Sequence, residues 1–330
     1  MSILFVGNSL QDFVAGTQGQ YRGPSDLPAS DSKGAMLEII SVNLYSNYIS
    51  FPLGQTVSEL YFSEYVNAWA PIATGTPAPL QLVSGSQVVL RVRAATDALA
   101  IDLWNGSSLV ELTRFAFNVL GSKRIDWYFR LHSTNGRIRC KVNGVILFDY
   151  TGPVNPSIMN FNSGRLGSWS AGVSLHGEVI AATENTEGMR LVTLNYTADG
   201  AETAWTGAVG DINWIPTGSS YAETYPDSTL IAPTAAEQTE TFIARDVPAA
   251  FGNSIVRAVV VAGRCNTDGT ITGINGIARL AGVNYEKAPT VAPTVTIGPF
   301  QSIFETNPAT SSLWTIPEVN GAEFGYRSKA

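Results

Sequence analysis

The sequence predicts an all-β protein of two β-sandwich (jelly-roll-like) domains with one short helix near the C-terminus. Three observations carry this. Charged residues make up 14 % of the 330, well under the roughly 25 % of an average soluble chain, while 31 glycines and 17 prolines supply turns throughout. Hydrophobic residues reach 45 %, enough for real cores, and the length suits two domains better than one. Apolar residues recur with a period of two along several segments, the spacing of half-buried strands.

Residues 3–6 and 37–44 read as the first strands. The apolar, aromatic stretch from Tyr45 to Trp69 fits both a strand and a helix reading. Strands follow at 87–94, 98–104 and 107–117, with Asn105-Gly106 as the turn between the last two. The clearest pattern starts at Ile125. Ile125, Trp127, Phe129 and Leu131 alternate with Asp126, Tyr128, Arg130 and His132; Ser133-Thr-Asn-Gly136 marks a turn. Ile138, Cys140 and Val142 then alternate with Arg137, Arg139 and Lys141 before Asn143-Gly144. Asn-Gly between alternating strands is a strong hairpin signal, because both central residues of the tight turn need positive φ. Residues 145–150 return, giving a three-strand meander, and 174–182 is a further strand.

The polar stretch 183–188 interrupts the pattern and sets a boundary between domains 1–185 and 186–330. Beyond it, strands are expected at 190–195, 239–244, 254–263, 276–281 and 291–297. Thr315-Ile-Pro-Glu318 has the Thr-x-x-Glu spacing of a capping box with proline in the first turn. A short helix starts there, Asn320-Gly321 stops it, and 324–327 is the last strand.

Net charge is −7, which argues against a nucleic-acid partner. Residues 1–185 hold 12 basic and 13 acidic side chains; residues 186–330 hold 8 and 14. Cys140 and Cys265 lie far apart, and neither has a Cys or His at metal-ligand spacing. The N-terminal Met1-Ser-Ile-Leu-Phe-Val-Gly7 lacks the basic region of a signal peptide, and no segment has the ~18–20 apolar residues of a membrane span. The expectation is a product made soluble in the cytoplasm, without membrane insertion.

The run Arg124-Ile-Asp-Trp-Tyr-Phe-Arg-Leu-His132, with Gly136-Arg-Ile-Arg-Cys-Lys-Val-Asn-Gly-Val-Ile-Leu-Phe-Asp-Tyr150, resembles the central hairpins of concanavalin-A-like, laminin-G-like jelly rolls. A second resemblance lies in the C-terminal half. Arg190-Leu-Val-Thr-Leu194, Trp205-Thr-Gly207, Asp227-Ser-Thr-Leu230, Glu240-Thr-Phe242, Ile255-Val-Arg-Ala-Val-Val-Val261 and Trp314-Thr-Ile-Pro-Glu-Val-Asn-Gly-Ala-Glu-Phe-Gly325 occur in an order similar to that of virion proteins of tailed bacteriophages. This resemblance implies a structural component of a phage particle, on tail, neck or capsid. Its partners would be copies of itself and other virion proteins. The alternative it leaves open is a module that binds a host-surface glycan.

No catalytic site, cofactor or metal is expected, and the chain is read as a non-enzyme. Phe5-Val-Gly-Asn-Ser9-Leu10 mimics the nucleophile block of lipase-like hydrolases, but the last histidine is His176 and no Asp precedes it by three. A serine without its base stays inert, so Ser9 reads as a turn residue. Glycosidase chemistry would need two carboxyls facing one cleft; Asp126 stands alone in its strand, Glu184 and Glu187 lie in the polar linker, and all three read as solvated surface acids. Asp97, Asp102 and Asp149 fall at loop edges without the clustering calcium needs. His132 and His176 have no evident metal partners. Tyr45, Tyr48, Trp69, Trp104, Trp169 and Trp205 are core fillers or, if exposed, stacking surfaces for sugars. One cluster remains: Lys123, Arg124, Arg130, Arg137, Arg139 and Lys141. Four of its six members point outward from adjacent strands, so the cluster is a solvated face, a contact face for a partner subunit, or a nucleic-acid patch.

Overall fold

The computed structural model describes residues 2–7, 13–14, 19–22, 36–40, 48–68, 78–95, 98–118, 120–169, 173–207, 231–267, 269 and 271–330. The chain is all-β, with jelly-roll-like sandwich sheets, and it separates into two compact units, Met1–Leu191 and Val192–Ala330.

The first unit contains β1 (Ile3–Gly7), β2 (Gly19–Arg22), β3 (Met36–Ile40), β4 (Ile49–Val57), β5 (Glu59–Ala68), β6 (Leu80–Ser84) and β7 (Gln87–Ala95). It continues with β8 (Ala98–Trp104), β9 (Leu109–Ala116), β10 (Gly121–Arg130), β11 (His132–Val142), β12 (Val145–Val154), β13 (Phe161–Leu166) and β14 (Val173–Ala182). The larger sheet runs β12-β11-β10-β5-β14-β3-β2, with β1 also on β14; the other runs β4-β13-β6-β7-β8-β9. Both sheets turn one face to a common core that includes Phe51, Phe62, Leu82, Ile101, Trp127, Phe129 and Phe161. Each such fully buried side chain contributes about 1.5–3 kcal/mol. Phe5, Phe51 and Phe62 stack in series, with ring centroids 5.1 and 5.7 Å apart. Gly164 on β13 makes room for this stack, since a Cβ there would overlap the Phe51 ring.

The ambiguous stretch 45–69 is two strands, β4 and β5, over its described part; Tyr45 and Trp69 lie outside the described residues. The reversal after β10 falls where the turn was expected. Arg130 stands opposite Arg137, and the amides of Thr134 and Asn135 both donate to His132 Nδ1. At the next hairpin Asn143 and Gly144 both take positive φ, 49° and 80°.

The second unit holds β15 (Tyr196–Thr203), β16 (Thr206–Gly207), β17 (Ile231–Ala232), β18 (Thr239–Ala244), β19 (Val259–Cys265), β20 (Gly273–Leu280), β21 (Val283–Glu286), β22 (Gly298–Phe304), helix α1 (Ile316–Asn320) and β23 (Glu323–Lys329). One sheet runs β15-β18-β23-β20-β21, and β19 pairs with β22. Phe242, Val261, Phe300, Phe304, Trp314 and Phe324 form the core. The capping box is present: the Glu318 amide donates to Thr315 Oγ1, and the Thr315 amide donates to Glu318 Oε2 at 2.7 Å.

Two expected strands are absent. Residues 190–195 form no ladder; the Arg190 guanidinium turns instead to Glu178, with two contacts of 2.8 Å. Residues 291–297 keep only the Val291–Ile274 bridge; Pro293 has no N–H to give a ladder. The strand expected from 254 starts at Val259. Ser9, Asp97 and the Asp227–Leu230 motif lie outside the described residues.

Candidate functional site: the outer face of the larger sheet

Strand registers set the residues of this face in rows. Glu59, Arg130, Arg137 and Thr151 form one; Tyr61, Tyr128, Arg139 and Asp149 form the next; Ser63, Asp126 and Lys141 the third. Successive side chains of a strand alternate faces, so the intervening Ile125, Trp127, Phe129, Leu60, Phe62, Ile138 and Cys140 enter the core. Five of the six basic residues singled out from the sequence therefore share the outer face. Lys123 takes the alternate side, and its ammonium donates to the Leu120 carbonyl.

The five are not equally free. Segment 183–191 crosses one end of this face. Thr186 Oγ1 lies 2.5 Å from Ser63 Oγ, which donates to Asp126 Oδ1 at 2.6 Å. Arg124 is buried there between Asp126 at 3.2 Å and Glu178 at 3.5 Å. Glu178 reaches this side because it sits at a bulge of β14, with φ of 47°, and a bulge re-aims the side chain it carries. Lys141 is taken by Glu187 at 2.6 Å. The expectation that Asp126 and Glu187 are merely solvated acids is corrected: both are bound by neighbours on this face, and the Lys141 ammonium holds the Glu187 carboxyl below its ordinary range.

The other end is open to the extent that Tyr61, Arg130, Arg137 and Arg139 are half-buried there, while Tyr128 beneath them is buried at 7 % exposure. The Tyr61 and Tyr128 rings lie 4.6 Å apart, and the Arg139 guanidinium sits 5.9 Å from the Tyr128 ring centroid. The Tyr128 hydroxyl donates to Glu59 Oε1 at 2.7 Å; burial, then that acceptor, raise its pKa. Arg137 makes a two-armed pair with Asp149, whose pKa it lowers by hydrogen bonding. Arg130 reaches Asn135 Oδ1 at 3.2 Å, while its Nε is buried without an acceptor.

A second constellation is internal. Glu64, His176 and Ser174 all point into the sandwich. Glu64 Oε2 is 2.7 Å from His176 Nδ1, and His176 Nε2 is 3.0 Å from Ser174 Oγ. Sequence reasoning missed this Ser-His-Glu series, because its only local signal was Ser174 two places before His176. It has the order of a nucleophilic triad but none of the access: all three residues are at most 1 % exposed. Trp169 fills the rest, donating its indole N–H to Glu64 Oε1 and its amide to Ser174 Oγ. The arrangement satisfies buried polar groups rather than attacking a substrate.

Asp102 is not at a loop edge. It is buried on β8 and bound by Arg91 and Arg93. Asp149 is likewise a strand residue, on β12. Trp169 and Trp205 are buried, and Tyr48 lies under the Arg165 guanidinium at 4.4 Å. Among the described residues, no group of three or more His, Cys, Asp or Glu could hold a metal ion.

No family model and no curated protein matches the chain. Solved structures do. An endo-β-1,4-glucuronan lyase from the fungus Trichoderma reesei is 9 % identical, covers 56 % of this chain and 96 % of its own, and has a TM-score of 0.42. The galectin LEC-6 of Caenorhabditis elegans is 17 % identical over 44 % of this chain and 96 % of its own, with a TM-score of 0.29. The binding domain of botulinum neurotoxin DC, solved in complex with SialylT, is 8 % identical over 100 % of this chain and 99 % of its own, with a TM-score of 0.35. Because a polysaccharide lyase stands among these similar structures, the expectation that the chain is not an enzyme is withdrawn.

Proposed function

We propose that the first unit binds carbohydrate through the open end of its larger sheet's outer face. One observation carries the reading: the half-buried Tyr61 ring, backed by the buried Tyr128 ring, stands beside Arg130, Arg137 and Arg139 on neighbouring strands. An aromatic face packs against the C–H side of a sugar ring, while guanidinium N–H groups supply several donors to its oxygens. Strand-borne side chains place both without loop ordering, which keeps the cost of binding low. Segment 183–191 closes the other end of the face and confines contact to the tyrosine–arginine end. The test is a polysaccharide panel with the full chain and a Tyr61→Ala variant, each also assayed for cleavage of what it binds. The reading expects binding by the parent chain and loss in the variant. A parent chain that binds nothing, or a variant that binds as well, overturns it.

A second reading, assembly with copies of itself and other proteins in a virion, is favoured by edge strand β12. Val145, Ile146 and Leu147 are 70, 53 and 43 % exposed there, and an apolar edge is a template for pairing with another strand. Light scattering at two concentrations tests it. A fixed multiple of 35.2 kDa that Ile146→Lys dissociates supports it; a monomer at both concentrations counts against preassembly.

A further inference from the structure

We infer that the ligand of this face is an acidic polysaccharide whose carboxylates are held by Arg139 and Arg130. The inference rests on the carbohydrate-binding reading and names the substrate class. Three guanidinium groups crowd two adjacent strands, and Arg130 and Arg137 stand directly opposite each other in the ladder. Like charges so placed destabilise a sheet. Two carboxylates lie in the same rows, and both are engaged: Asp149 takes both arms of Arg137, and Glu59 accepts the Tyr128 hydroxyl. Arg139 has the Tyr128 ring beneath it and, among the described residues, no carboxylate within ion-pair distance; Asp149 and Glu187 feel its charge but accept their hydrogen bonds from Arg137 and Lys141. Among the described residues Arg130 has only the neutral Asn135 oxygen, with its Nε buried and unpartnered.

Counting Glu59, Arg130, Arg137, Arg139 and Asp149, the open end carries a net positive charge on a chain whose total is −7. Rigid guanidinium forks match a carboxylate with two parallel hydrogen bonds. Arg137 is neutralised in that way by Asp149; Arg139 and Arg130 keep the same capacity for an incoming acid. A neutral glycan would offer these guanidinium groups uncharged oxygens only, whereas a uronate-bearing chain would supply charged acceptors that match their forks while its ring lies on Tyr61.

The experiment measures binding of the full chain to a polyuronate, to the same polymer with its carboxyls reduced to alcohols, and to a sulfated polysaccharide. Arg139→Gln and Arg130→Gln are compared with Lys123→Gln, which lies off this face, and circular dichroism checks that each variant folds. The expected result is preference for the polyuronate, weakening with added salt. Either arginine variant should lose roughly tenfold or more, with Lys123→Gln unchanged. Equal or better binding of the reduced polymer overturns the acidic-ligand inference and leaves carbohydrate binding standing. Binding of the sulfated polymer alone overturns the carboxylate assignment. Failure to bind any of the three, with no hit on the wider panel, overturns the underlying reading as well.

Discussion

His176 Nδ1 and Glu64 Oε2 stand 2.7 Å apart in the core of the first unit, tying β14 to β5 by side chains as well as by their ladder. Glu64 also accepts from the Trp169 indole, so its removal leaves two buried groups without a partner. Breaking a buried pair from one side costs about 3–5 kcal/mol. Glu64→Ala should lower unfolding free energy by that amount in urea titration. A loss under about 1 kcal/mol, the scale of an ordinary hydrogen bond, would mean the network is not what anchors β14.

Cys140 is buried in the same core and its thiol pKa is raised by desolvation; burial pushes Cys265 up to about 11. The thiolate is the reactive form. Native protein at pH 8 should therefore react slowly with a thiol reagent at both sites, and slowest at Cys140. Denatured protein should show two rapid equivalents. Fast native labelling of Cys140 would contradict the described packing.

The ion pairs on the outer face make a pH prediction. Asp149 and Glu187 have pKa values lowered in the fold, each chiefly by a hydrogen bond from its cation, Arg137 and Lys141. A depressed folded pKa contributes stability above the unfolded value, near pH 4, and that stability is lost as pH falls through the folded value. Both pairs are partly exposed, so solvent screening holds each to about 0.2–1 kcal/mol. A double-mutant cycle on Lys141 and Glu187 should give a coupling of that size at pH 7 and almost none at pH 2. A coupling unchanged across this range would show that charge is not its source.

Gly325 closes the C-terminal motif, and the fold supplies a reason for it. A Cβ at this position would overlap the Glu240 carbonyl oxygen, which is backbone and cannot swing aside. Gly325→Ala should destabilise the second unit by about 1–3 kcal/mol or more, read as a lower midpoint of its unfolding transition. An unchanged midpoint would show that β18 and β23 are not packed as described.

Local chemistry made parts of the fold legible. Asn143-Gly144 and the Thr315–Glu318 box carry their geometry in two to four residues, and both appear as written. Residues 45–69 were illegible because β5 lies between β10 and β14: Ser63 and Glu64, on opposite faces, are both fully buried, which erases the period of two. Ser63 is covered by Thr186, a contact spanning 123 positions. The candidate site shows the same division. The alternation of Arg137, Arg139 and Lys141 placed basic residues on one face. Tyr61 entered only through the β5–β10 register, and Arg124 and Lys141 left it because segment 183–191 covers them. Glu178 reaches that segment through a bulge no periodicity announces.

The most direct test of the central claim is a crystal structure of the full chain with an oligosaccharide from the polymer it binds best. The account predicts a sugar ring against Tyr61, with oxygens within hydrogen-bond distance of Arg139 and Arg130. A ligand seated elsewhere on either unit, with the Tyr61–Arg139 row empty, would contradict it.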